Sequence, residues 1–112
     1  MTGFVYFITS DKIGSQDPEL GARLMVTFFL KLVQASKLPS HVLLLERGVQ
    51  LLLPGSPCLD AIKALEGRGV EMLACQTCLD FYGIKEKIAA GKVSNMPDII
   101  EAIQTAGKVI HL

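Results

Sequence analysis

The chain has no tryptophan, no excess of either charge and few aromatic residues. It also lacks an apolar stretch long enough to cross a bilayer. Lys and Arg number 11, against 11 Asp and Glu, and they form no basic stripe. Nucleic acid is therefore not expected as a partner, because phosphate binding draws on grouped cations. The longest apolar runs are Leu24–Leu30, broken by Thr27, and Leu51–Leu53. Both fall far short of the ~20 residues of a spanning helix, so no membrane is expected. The N-terminus shows neither the charged segment nor the apolar run of a signal peptide. Three cysteines make an odd count that implies no disulfide framework, and a reducing cytoplasm is the natural setting. Flavin is not expected, nor any other cofactor: Ser10–Ser15 has no recognisable phosphate motif, and no aromatic pair stands ready to stack a ring.

Half of the 112 residues are hydrophobic, enough for one domain, residues 1–112, with a real core. Phe4–Ile8 and His41–Leu45 are short continuous apolar runs, the pattern of strands covered on both faces, and Val70–Ala74 reads as a third strand. Lys92–Ser94 and Val109–Leu112 are shorter candidates. Between them lie helical patterns. Asp17 caps a helix over 18–36 with Pro18 in its first turn, and Pro39 stops it. Leu20, Leu24, Phe28 and Leu32 form one stripe on that helix, and Met25, Phe29 and Val33 a second. Together they are wider than the ~100° face of a one-sided surface helix, so this helix is either deeply buried or also meets another subunit, and a homo-oligomer is expected. Ser56 and Pro57 open the next helix, with Leu59, Ile62 and Leu65 buried. Thr77 and Asp80 have capping-box spacing for a third. Asn95 caps a fourth, with Ile99, Ile100 and Ile103 inward.

Alternating strands and helices with short links predict an α/β fold, a flavodoxin-like three-layer sandwich with a five-stranded, mainly parallel sheet in the order 2-1-3-4-5. Ligands then bind along the carboxyl edge, which collects Ser10–Asp17, Arg47–Ser56, Cys75–Thr77 and Ser94–Met96. Cys75 and Cys78, a Cys-x-x-Cys pair at a strand-to-helix junction, stand on that edge. A helix start lowers a thiol pKa through its partial positive charge and free N–H groups. Such a pair can exchange disulfides, hold half a zinc site or pass a sulfane sulfur. It can also be two small buried hydrophobes. Zinc wants four ligands, and only Cys58 and two histidines remain. His41 falls at the opposite edge, and His111 near the end of the last strand reads as an ordinary residue. Cys58, in the first turn of its helix, reads as structural.

Several motifs recur in a known order: Ile13-Gly14, Glu19-Leu20-Gly21, Arg47-Gly48-Val49, Gly55-Ser56, Leu65 with Gly69-Val70, Cys75, Thr77-Cys78-Leu79, Tyr82-Gly83-Ile84 and Ser94-Asn95-Met96. Over nearly its whole length the chain resembles the DsrE/DsrF-like family, and within it the DsrE-like domain of YedF-type proteins of sulfur and selenium metabolism. The resemblance implies a sulfur-relay role, with persulfide sulfur carried on Cys75, matching the strand-end cysteine, and Cys78 as its partner thiol. It places Gly48 and Asn95 on the same edge. With Thr77 between the thiols, these make a candidate binding edge. The implied partners are a protein sulfur donor or acceptor, such as a separate TusA-like carrier, because YedF-type proteins carry such a domain before this one and this chain shows none. YedF-type proteins read Cys-Gly-Thr-Cys, whereas this chain has Gln76. A non-enzymatic binding or regulatory subunit of an oligomeric complex, and a thiol redox or metal site, stand as alternatives.

Overall fold

Three apolar runs form the middle of the sheet. In the computed structural model, which describes residues 3–112, β1 (Phe4–Ile8), β2 (His41–Leu44) and β3 (Glu71–Cys75) lie side by side, flanked by β4 (Lys92–Ser94) beyond β3 and β5 (Lys108–His111) beyond β1. All pairings are parallel. Each edge strand begins with an exposed lysine, which discourages pairing with further chains. The fold is thus the α/β sandwich expected.

The strand order is β4-β3-β2-β1-β5, which corrects the expected 2-1-3-4-5. From β1 to β4 the chain steps always to the next neighbour in one direction. Three right-handed crossovers in one direction must stack their helices on one face. Accordingly α1 (Pro18–Val33), α2 (Leu59–Gly67) and α3 (Gln76–Tyr82) share a core with Ile8, Val42, Leu44, Met72 and Ala74. The last crossover runs back across the whole sheet. Its helix, α4 (Met96–Thr105), therefore packs alone on the other face, against Val5, Leu43, Leu73 and Cys75. The sequence pattern counts the crossovers but does not say in which direction each one steps.

The helix ends follow local chemistry. Asp17 caps α1, its Oδ1 accepting the N–H groups of Glu19 and Leu20 at 3.2 Å. α1 stops at Val33, three residues before the expected end and well before Pro39. There Arg68, at the end of α2, donates to the carbonyls of Val33 and Ala35, which would otherwise lack partners. Only one of the two stripes on α1 is buried. Met25 and Phe29 are inside, while Leu20 and Leu24 are exposed; Leu32 is the one member of the other stripe to reach the core fully. Ser56 caps a turn, its Oγ accepting the Cys58 N–H at 3.2 Å, and α2 proper begins at Leu59. On α4, Ile99 is buried and Ile103 half-buried; Ile100 faces solvent and Ala102 fills its place. No helix among the described residues is long and apolar enough to cross a membrane.

Candidate functional site

In an open parallel sheet, ligand sites form where neighbouring strands send their helices to opposite faces. The order 2-1-3-4-5 would set that point between β1 and β3. In the observed order it lies between β3 and β4, because α3 and α4 pack on opposite faces. Cys75, the last residue of β3, pairs there in register with Ser94, the last residue of β4. Both side chains are buried, Cys75 at 2% and Ser94 at 7% exposure, with Cys75 packed in the core that α4 covers.

β3 runs into α3 without a loop. Cys75 itself is the residue at the cap position, in extended conformation, and its side chain makes no capping hydrogen bond. This corrects the capping-box expectation: Thr77 lies inside the helix, exposed, because the turn from strand to helix is made two residues earlier. α3 ends at Gly83, whose left-handed φ of 67° few other residues adopt without strain.

Cys78 lies one short helical step further on and reaches both cores and the surface. It lines an open depression of about 280 Å³ together with Glu46, Thr77, Phe81 and Tyr82. Its Sγ accepts the main-chain N–H of Glu46 at 3.1 Å. The donor thus comes from the segment after β2, not from a cap on α3. Burial pushes the Cys78 thiol above its usual range. The Glu46 N–H pulls it back, and the adjoining Cys75 thiol and the Glu46 carboxylate push it up again.

The Glu46 N–H is aimed by the backbone. Glu46 opens a 3₁₀ segment, Glu46–Leu52, and has a φ of 49°, the one left-handed non-glycine residue among those described. Two residues on, Gly48 packs so closely on the end of β1 that an added Cβ would lie 2.5 Å from the Ile8 carbonyl oxygen. Leu45 N–H donates to that same oxygen at 3.0 Å, and Gly48 N–H closes a turn onto the Leu45 carbonyl at 2.8 Å. Pinned at Leu45 and Gly48, the chain passes Glu46 in the only direction left. Gly48 therefore shapes the site through the backbone, without a side chain of its own.

Asn95 is spent on structure: its Oδ1 accepts the Asp98 N–H at 2.9 Å and caps α4. His111 bonds Thr9 Oγ1 at 3.3 Å and stacks edge-on against Phe7. It stands on β5, with β1 and β2 between it and β3, roughly 14 Å at ordinary strand spacing. His41 lies at the amino edge against Ser40 and Glu71. Cys58 is buried at 1% exposure, and burial pushes its thiol up to about 11. Among the described residues no group of three His, Cys, Asp or Glu side chains could hold a metal ion.

Sequence reasoning missed Glu46, Phe81 and Tyr82 as parts of the site. Phe81 and Tyr82 follow Cys78 by three and four residues, the spacing that puts side chains on one helical face, so that signal was present. Glu46 falls between the expected strand His41–Leu45 and the edge segment beginning at Arg47; β2 ends at Leu44.

Residues 27–112 match the model of the DsrE/DsrF-like family. Among solved structures, the fold is similar to the YchN protein from E. coli, with a TM-score of 0.70 and 18% identity over the whole of both chains. It is equally similar to MTH1491 from Methanobacterium thermoautotrophicum, a protein of unknown function, with a TM-score of 0.70 and 22% identity, again over the whole of both chains. At such identities the likeness shows the fold alone. No curated protein matches the chain.

Proposed function

This chain belongs to the DsrE/DsrF-like family, a family associated with sulfur relay, and from that premise we propose that it carries sulfane sulfur as a persulfide on Cys78. The observation that carries the proposal is the Cys78 sulfur itself: it lines an open depression and accepts the Glu46 N–H at 3.1 Å. A hydrogen-bond donor aimed at sulfur favours its anion, the nucleophile, and here works against the burial that raises this thiol overall. Cys75 has the adjoining thiol but almost no access to solvent. The two roles suggested by the resemblance are therefore exchanged in this reading: Cys78 receives, and Cys75 is its partner.

The chemistry needs no external oxidant. The Cys78 thiolate attacks the outer sulfur of a donor persulfide. The donor's S–S bond breaks, a new S–S bond forms on Cys78, and the donor leaves as a thiolate. Attack by an acceptor thiolate on the outer sulfur of that persulfide passes the sulfur on and returns Cys78 to its starting state. Should Cys75 instead attack the inner sulfur, sulfide departs and a Cys75–Cys78 disulfide remains. That second branch would end the relay until a reductant restored both thiols. The same steps serve selenium in place of the outer sulfur. Thr77, exposed beside the thiols, completes the rim, while Gly48 and Asn95 support it through the backbone and the α4 cap.

The donor or acceptor is proposed to be a separate protein, for instance a TusA-like carrier. Self-association is proposed through α1, where Leu20, Leu24 and Leu30 are exposed at 53%, 42% and 52%. The function is tested by incubating the reduced chain with a sulfane-sulfur donor and weighing it. One added sulfur atom is expected on the wild type and on Cys75→Ala, and none on Cys78→Ser. An adduct that persists undiminished in Cys78→Ser would contradict the assignment.

A further inference from the structure

The depression at Cys78 contains a single ionised side chain, Glu46. No cation pairs with its carboxylate among the described residues, and the nearest basic neighbours in sequence are engaged elsewhere. Arg47 turns to Asp11 at 3.4 Å, and Lys85 holds Asp80 at 3.5 Å. The Glu46 backbone is tied to the Cys78 sulfur by its own N–H, so its side chain starts beside the thiol. The same depression is lined by Phe81, 82% exposed, with Tyr82 edge-on to it at 5.2 Å. An unpaired carboxylate sharing one depression with an exposed and a half-buried aromatic ring is a binding arrangement for a cation, which gains from both the charge and the ring faces.

From this we infer that the Cys78 depression selects a sulfur donor with a positive charge beside its reacting sulfur, and that Glu46 is the specificity-determining residue. The inference rests on the reading of Cys78 as the receiving thiol. The donor that fits is a protein segment in which Lys or Arg neighbours the donor cysteine. The depression is open, and only a body larger than a free aminothiol would also cover the Phe81 ring, 82% exposed. A cation in place would also offset the Glu46 carboxylate, which otherwise opposes ionisation of the thiol. Docking of the right donor thus assists formation of the attacking thiolate, and an anionic donor has no such effect.

The test compares two thiol reagents that differ in charge, trimethylammonium-ethyl and sulfonatoethyl methanethiosulfonate. In each, the Cys78 thiolate attacks the divalent sulfur, forms a disulfide and releases methanesulfinate, so the chemistry is the same. Rates are measured on Cys75→Ala, so that no adjoining thiol removes the label, with the label assigned to Cys78 by peptide mass. They are normalised to a free cysteine derivative. The cationic reagent should be favoured by about fivefold at low salt, a preference that fades at high salt. In the Glu46→Gln variant of the same chain the normalised ratio should fall close to one. Glu46→Asn, a residue type that tolerates left-handed backbone, serves as a second carboxylate-free variant should Gln disturb the turn.

A peptide arm fixes the source. Activated disulfides of short peptides with Lys beside the cysteine should outpace those with Glu by more than the small reagents do. A ratio of one in the Cys75→Ala chain with Glu46 intact, or a ratio unchanged in both Glu46 variants, overturns the inference. Discrimination among the small reagents but none among the peptides overturns the protein donor. This labelling needs no sulfur transfer, so its failure and the absence of a persulfide on Cys78 are separate results.

Discussion

Cys58 and Cys78 both stand near the starts of helices along the same edge of the sheet. Cys58 sits at the cap position of α2 beside a cavity of about 160 Å³ lined by Asp11, Lys12 and Gln50, among others. Its thiol is sealed from solvent, no donor reaches its sulfur among the described residues, and burial alone sets its pKa. Cys78 is also partly desolvated, but a main-chain N–H points at it and an open depression leads to it. The contrast shows that the edge of the sheet is not enough. Of the two, only Cys78 has a fixed donor and an approach path, supplied by the turn after β2 and the exposed side of α3, and its proposed role rests on that meeting.

The comparison breaks most visibly in alkylation. At pH 8 Cys58 should react far more slowly than Cys78. A pKa of about 11 cuts its thiolate fraction roughly a hundredfold below that of an ordinary thiol, before burial is counted. Peptide-resolved labelling with iodoacetamide checks this, and denaturant should release Cys58. Comparable labelling of both in the folded chain would erase the distinction.

Gly48→Ala comes next. A Cβ 2.5 Å from the Ile8 carbonyl forces the turn outward, which should destabilise the fold by about 1–3 kcal/mol. It should also weaken the Glu46 N–H bond, so that Cys78 titrates higher. Urea unfolding reads the first effect and the pH profile of Cys78 alkylation the second. A destabilised chain with an unmoved profile would remove the turn's role in aiming the donor.

Cys58 predicts a pH effect on stability. Its folded pKa is raised, so the folded state holds the proton longer than the unfolded one. Its contribution is complete below the ordinary value of 9.0 and is lost as the pH rises through about 11, on the order of 3 kcal/mol in all. Unfolding at stepped pH should show that slope in the wild type and a shallower one in Cys58→Ala. The smallest effect belongs to Phe81→Ala. At 82% exposure the ring adds little to the fold, so stability should change by no more than ~0.5 kcal/mol while sulfur transfer from a protein donor slows.

Much of this was legible in the residues. Continuous apolar runs marked β1, β2 and β3 because central parallel strands are buried on both faces, and Asp17 and Asn95 announced α1 and α4 through capping chemistry. The motif string carried the family. The strand order was not legible, since adjacency is decided by crossover directions that leave no trace in local pattern. Which side of α1 lies inside was not legible for a related reason: Leu20 and Leu24 obey helical spacing as well as Met25 and Phe29 do, and only the position of α2 and the sheet decides which stripe is buried. Within the site, the thiols were visible as a motif. Their difference in access was not, because it depends on α4 covering Cys75 from the far face. Glu46 was hidden for another reason. It acts through a backbone N–H, which every residue but proline possesses, and its left-handed φ is imposed by the pinned turn rather than by its own side chain.

The most direct test of Cys78 as the sulfur-bearing residue is peptide-resolved mass spectrometry of the chain after brief exposure to a sulfane-sulfur donor, with thiols trapped under non-reducing conditions. One extra sulfur atom on the peptide sulfur of Cys78, with Cys75 and Cys58 unmodified, is the predicted result. The extra sulfur on Cys75 with Cys78 free, or on none of the three cysteines, would contradict it.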